Sequence, residues 1–143
     1  MTVPRSVEYI FKRDISLLDK VFASVGNFIL ENKIEKNMAF AIEVAVEEIF
    51  TNLVKYNASA RSDITINLRK ENNTLFISFI DDQAVPFDIT TSSKPDTECR
   101  VQERRIGGLG LHLVRQVMDN VSYQYKDGKS IITLSKLIGK PNV

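Results

Sequence analysis

Apolar positions recur along this chain with two different periods, and each change of period marks a new element. Residues 7–11 (Val7, Glu8, Tyr9, Ile10, Phe11) are rich in β-branched and aromatic side chains and predict a first strand. Leu17, Leu18, Val21, Phe22, Val25, Phe28 and Ile29 then follow at spacings of three and four, predicting a helix capped by Asp14 or Ser16 and closed by Asn32 and Lys33. A second helix is predicted from about Glu35 to Tyr56, on the stripe Met38, Ile42, Ala45, Val46, Ile49 and Leu53. It has the strongest periodicity in the chain, and residues 57–60 close it as a polar loop.

Beyond residue 60 the period drops to two. Ile64, Ile66 and Leu68 alternate with polar residues, Glu71-Asn72-Asn73 makes a turn, and Leu75, Ile77 and Phe79 alternate again. This predicts an antiparallel hairpin of two half-buried strands. From Gln83 to Gly107 neither period holds, and loops of that length in a compact domain are usually functional or disordered. Leu111, Leu113, Val114, Val117 and Met118 predict a third helix opened by the glycines at 107, 108 and 110. Residues 121–125 and 131–137 predict two last strands joined at Asp127-Gly128, and the tail from Ile138 reads as frayed. The order β-α-α-β-β-loop-α-β-β clusters helices and pairs strands in hairpins, which favours an α+β two-layer sandwich over a doubly wound sheet.

Composition narrows the function classes. The chain has 143 residues, 43% hydrophobic and 26% charged, which suits one globular domain over 1–143. Its formal charge of +1 gives no electrostatic case for a nucleic-acid partner. The single cysteine, Cys99, excludes an internal disulfide and a cysteine-based zinc site. Charges early in the chain argue against a signal peptide, and no apolar run approaches the ~20 residues that span a bilayer. The expectation is a cytoplasmic protein with no membrane partner.

Three constellations carry candidate chemistry. Glu48 and Asn52 are four apart and share a helix face on the flank of the apolar stripe. A carboxylate and a carboxamide there suit a general base beside a magnesium ligand, since magnesium takes few protein ligands and keeps waters and phosphate oxygens. They are equally the pattern of two partly solvated helix residues. Asp82 ends a strand ahead of Ala84, Pro86 and Phe87. A strand-end carboxylate can accept from an exocyclic amino group such as that of adenine, although Asp and Pro also begin ordinary turns. Gly107, Gly108 and Gly110 precede Leu111 and His112. Glycines at a helix start expose N–H groups and admit phosphate to the positive end of the dipole; flexible punctuation is the alternative. Neither a Walker A loop nor a Rossmann fingerprint is present.

Together and in this order, the three constellations resemble the boxes of the GHKL (Bergerat-fold) ATPase superfamily. Glu48-x-x-x-Asn52 with Lys55 and Tyr56 resembles the N box, Asp82-x-Ala84-x-Pro86-Phe87 the first glycine box, and Gly108-x-Gly110 the second. The details resemble the anti-sigma-factor serine/threonine kinase branch, with Pro86-Phe87-Asp88 after the first box and Gly107-Gly108-Leu109-Gly110-Leu111-His112-Leu113-Val114 at the second. The resemblance implies a mostly antiparallel sheet with helices on one face, a histidine-kinase-like ATPase core over about 7–137, and an ATP lid over about 90–106.

It also implies ATP and magnesium as cofactors. Asn52 would ligate the metal bridging the phosphates, and Glu48 would be the general base. Asp82 would meet the adenine amino group. Gly108, Gly110 and the amides of Leu109 and Leu111 would hold phosphate, with Gly107, Lys55, Tyr56, Ala84 and Phe87 completing the nucleotide site. Thr133 on the last strand would stand near adenine. Arg105 at the end of the lid and His112 in the first helical turn would reach phosphate, though solvated charge and an exposed helical histidine describe them as well. The implied activity is a partner-switching serine/threonine protein kinase acting as an anti-sigma factor. Its implied partners are a sigma factor or similar target, a STAS-type anti-anti-sigma protein that it phosphorylates, and a second copy of itself. A nucleotide-binding module that sequesters a partner without turnover is the alternative. Two positions depart from the family: Ala84 replaces a usual glycine, and Tyr56 stands where many relatives carry histidine. A sensor histidine kinase is disfavoured because the only histidine, His112, lies inside the second glycine box.

Overall fold

A computed structural model describes residues 5–56, 62–82 and 109–139. Strand β1 (Arg5–Phe11) leads through a short 3-10 turn (Ile15–Leu17) into helix α1 (Leu18–Glu31), and helix α2 (Lys36–Tyr56) follows. Strands β2 (Ile64–Glu71) and β3 (Thr74–Asp81) form the predicted hairpin. Helix α3 (Leu109–Val117) and strands β4 (Asn120–Lys126) and β5 (Lys129–Leu137) complete the order. The sheet runs β1-β2-β3-β5-β4, with every neighbouring pair antiparallel. The α+β expectation holds.

Local chemistry sets the element ends. The carboxylate of Asp14 accepts from the Ser16 amide at 2.9 Å, capping the 3-10 turn ahead of α1. At the other end Lys33 takes a left-handed φ of 55°, the Lys33 amide donates to Leu30 at 3.1 Å, and the Ile34 amide donates to Ile29 at 3.1 Å. That is a Schellman close, with Asn32 adding a side-chain bond to the Phe28 carbonyl at 2.9 Å. Asp127 and Gly128 both have positive φ, 54° and 77°, the type I′ geometry of a tight hairpin.

The two periods meet in one core. Val21, Val25, Phe28 and Ile29 of α1, and Ile42, Ala45, Val46, Ile49, Phe50 and Leu53 of α2, are buried. They pack with one face of the sheet, carrying Ile64, Ile66, Leu68, Leu75, Ile77, Phe79, Ile132 and Leu134. Val114 and Met118, from α3 and the residue after it, join the same cluster. One expectation fails here: Ile138 is not part of a frayed tail. It is buried, and its amide donates to the Asn73 carbonyl at 2.8 Å, so the chain stays tied to the β2–β3 turn after β5 ends.

Candidate functional site

Helix α2 brings the first constellation to the flank of the core. Asn52 lies one turn beyond Glu48 and is 2% exposed, and its amide nitrogen has no hydrogen-bond partner among the described residues. A buried donor left unpaired is costly, on the order of 1–3 kcal/mol, and native chains rarely keep one without a use. Glu48 is half-buried. Burial raises its carboxyl above the ordinary value, the charge of Glu47 raises it further, and Lys55 opposes both. A carboxylate tuned upward is better matched to proton abstraction near neutral pH. Lys55 itself is exposed in the last turn.

Magnesium fits this donor set. Asn52 has a carboxamide whose oxygen is a ligand type magnesium takes, and its amide nitrogen has no partner among the described residues. No cluster of three or more His, Cys, Asp or Glu side chains among the described residues can hold a metal. An ion held here would rest on Asn52 plus phosphate oxygens and water, which is how magnesium is usually bound.

The end of β3 is built differently. Side chains alternate along it, so Leu75, Ile77, Phe79 and Asp81 share the core face. Asp81 is 1% exposed. Arg13, from the connection between β1 and the 3-10 turn, meets it with both terminal nitrogens: Nη2 to Oδ1 at 2.5 Å and Nη1 to Oδ2 at 3.1 Å. Asp82, the residue singled out in the sequence, is the first beyond the strand and is exposed, with Lys129 Nζ at 3.8 Å. Two adjacent carboxylates therefore differ: one is buried against Arg13 and the other is exposed beside Lys129.

Thr133 is not brought to this region. It lies on the face of β5 turned away from the core, opposite Ser78, with their hydroxyls 3.2 Å apart. The β5 residue paired with Asp81 is Ser130, buried at 4% and 3.3 Å from the Tyr123 hydroxyl. Strand alternation alone separates 130, 132 and 134 from 131, 133 and 135, so this signal was present in the sequence. Arg13 carried no such signal, because a basic residue in a polar connection reads as solvated charge.

The glycine-rich box is described only in part. Leu109, Gly110 and Leu111 form the first turn of α3, which packs against α2. His112 is exposed, its Nε2 lying 3.2 Å from the Gln116 side-chain nitrogen. The backbone of Tyr56 ends α2. Ala84, Phe87, Arg105, Gly107 and Gly108, and the lid over 90–106, lie outside the described residues.

With this geometry in place, comparison with known proteins is informative. Residues 11–136 match the family described as a histidine kinase-like ATPase domain. The chain is similar to a protein named serine-protein kinase RsbW from Listeria innocua, at 32% identity over 108 residues, covering 71% of this chain and 68% of that protein. It is also similar to the RsbW serine-protein kinase of Staphylococcus aureus, at 33% identity over 152 aligned positions, covering 100% of this chain and 88% of that one. Among solved structures, the RsbU and RsbW domains of a Mycobacterium tuberculosis protein superpose with a TM-score of 0.68 at 15% identity. That match covers 98% of this chain and 33% of the mycobacterial one, and it speaks to the fold.

Proposed function

Because the chain belongs to the histidine kinase-like ATPase domain family, we propose that it is an ATP- and magnesium-dependent serine/threonine protein kinase of the partner-switching kind. The observation that carries this reading is the buried Asn52, whose amide nitrogen has no partner among the described residues, one helical turn from a Glu48 whose carboxyl is raised by burial. Curated relatives named as serine-protein kinases support the reaction class.

In this reading magnesium, held by Asn52 and the phosphates, supplies charge neutralisation where negative charge builds up during transfer. Asn52 Nδ2, which has no partner among the described residues, would donate to a phosphate oxygen. Glu48 takes the proton from a serine or threonine hydroxyl as its oxygen bonds to the terminal phosphorus. The bond from that phosphorus to the bridging oxygen breaks, and ADP leaves. Asp82, exposed at the end of β3, accepts from the exocyclic amino group of the base. The amides opening α3 hold phosphate at the positive end of the helix dipole. Lys55, Tyr56, Ala84, Phe87, Arg105, Gly107 and His112 complete the proposed nucleotide site.

The acceptor hydroxyl lies on a STAS-type antagonist, and the second partner is a sigma factor or similar target. Both assignments, and self-association as a dimer, rest on the family resemblance. No helix among the described residues is long and apolar enough to cross a membrane, and we place the protein in the cytoplasm as one domain over 1–143. The test is calorimetry with magnesium-ATP on the wild type and Asn52→Ala, followed by transfer of labelled phosphate to a STAS-type partner with Glu48→Gln as control. Wild type that binds no nucleotide ends the proposal. Binding without transfer leaves a nucleotide-binding module in its place.

A further inference from the structure

Arg13 belongs to none of the three boxes, yet it touches a neighbour of two of them. Its side chain is 3% exposed. Nη1 donates to the Leu53 carbonyl at 3.2 Å and to Asp81 Oδ2 at 3.1 Å. Nη2 donates to Ser62 Oγ at 3.2 Å and to Asp81 Oδ1 at 2.5 Å. Leu53 directly follows Asn52, and Asp81 directly precedes Asp82. One guanidinium thus spans the end of α2, the segment entering β2, and the end of β3, at sequence separations of 40, 49 and 68.

Each bond has a physical reason. The Leu53 carbonyl is one of the last four of α2, which lack an intrahelical partner. A cation beside them also suits the negative end of the helix dipole. Asp81, buried and charged, needs a counter-ion with donors for both oxygens, and a planar fork supplies that better than an ammonium group. Stability alone does not explain the choice, because well-packed apolar residues often replace a buried ion pair at no loss. A fork bonded to three separate segments adds something an apolar pair lacks: it fixes the distance and orientation between them.

We propose that Arg13 is a positioning residue of the nucleotide site, holding the Asn52 turn of α2 and the Asp82 end of β3 at the separation that a bound nucleotide spans. The inference rests on the proposed ATP site. It makes a distinction that a purely structural role does not. A ligand touching both ends depends on their spacing, whereas a ligand touching only the base end does not.

The test uses the full chain with wild type, Arg13→Met and Arg13→Lys. Dissociation constants are measured for magnesium-ATP, which bridges both ends, and for adenosine, which reaches the base end alone. Folded fractions come from circular dichroism, so that affinities refer to folded protein. Arg13→Met is expected to weaken magnesium-ATP about tenfold or more, the equivalent of one charge-assisted hydrogen bond, and adenosine by less than about twofold. Arg13→Lys, which keeps the charge and one bond at a time, is expected to fall between and remain measurable if Arg13→Met does not fold. Equal weakening of both ligands, or no weakening in either variant, overturns the inference. Wild type that binds neither ligand removes the ATP site itself and the inference with it.

Discussion

Asn52 and Asp81 are buried to nearly the same degree, 2% and 1% exposed, and the fold treats them in opposite ways. Both oxygens of Asp81 are taken by Arg13. The amide nitrogen of Asn52 is taken by nothing among the described residues. Burial by itself therefore does not identify a binding group. A buried polar group that is fully paired fixes the shape of the protein. A buried donor without a partner among the described residues, as Asn52 Nδ2 is, carries a desolvation cost that a ligand would relieve. Neighbours at the end of β3 differ in a related way: Asp81 is buried and held by Arg13, whereas Asp82 is exposed beside Lys129.

That contrast can be broken by substitution, and the largest effect is expected at the anchor. Asp81→Ala leaves the Arg13 charge buried without its counter-ion and should destabilise the chain by roughly 3–5 kcal/mol, read from the urea midpoint. A loss under 1 kcal/mol would mean that the ion pair is not an anchor. Glu48→Gln should lower phosphotransfer by about 100- to 10,000-fold, the usual worth of a general base, while leaving nucleotide affinity close to wild type. Asn52→Leu should do the reverse of Asp81→Ala. It removes a buried donor that has no partner among the described residues, so stability should hold or rise by about 1–3 kcal/mol, while magnesium-ATP binding falls by more than the roughly 100-fold that outer-shell metal partners cost. A destabilised Asn52→Leu would show that the amide is paired after all.

Smaller effects sharpen the picture. Asp82→Asn should change stability by no more than about 0.5 kcal/mol, since the side chain is exposed, yet weaken ATP about tenfold through the base contact. The smallest effect concerns proton affinity. Glu48 is raised by burial first and by Glu47 second. The transfer rate should therefore climb as pH rises through its raised value, and Glu47→Gln should move that midpoint to lower pH by less than about one unit. The stability contribution has the opposite sense. A carboxyl raised on folding favours the folded state below its ordinary value and loses that contribution as pH climbs through the raised one.

Much of this arrangement is legible in the chain itself. The α2 stripe, with Glu48 and Asn52 on its flank, follows from a 3.6-residue period. The β2–β3 hairpin follows from strict alternation, and the Asp127-Gly128 turn from two residues that tolerate positive φ. Alternation counted from Leu75, Ile77 and Phe79 also points inward at Asp81, not Asp82, and alternation counted from Ile132 and Leu134 points inward at Ser130, not Thr133. Those two placements were present in the pattern but hidden behind the likeness of neighbouring residue types.

Arg13 was not legible at all. Periods of 3.6 and 2 arise from bonds between near neighbours, so the sequence by itself determined the elements, the face each one buries, and where one turn of helix places Glu48 beside Asn52. Which polar groups find partners depends on segments 40 to 68 residues apart closing on one another. No local pattern encodes that closure. Only the tertiary structure decided that Arg13 is taken by Asp81 and Leu53, that Asp82 is exposed, and that Asn52 is buried with its amide nitrogen unpaired among the described residues.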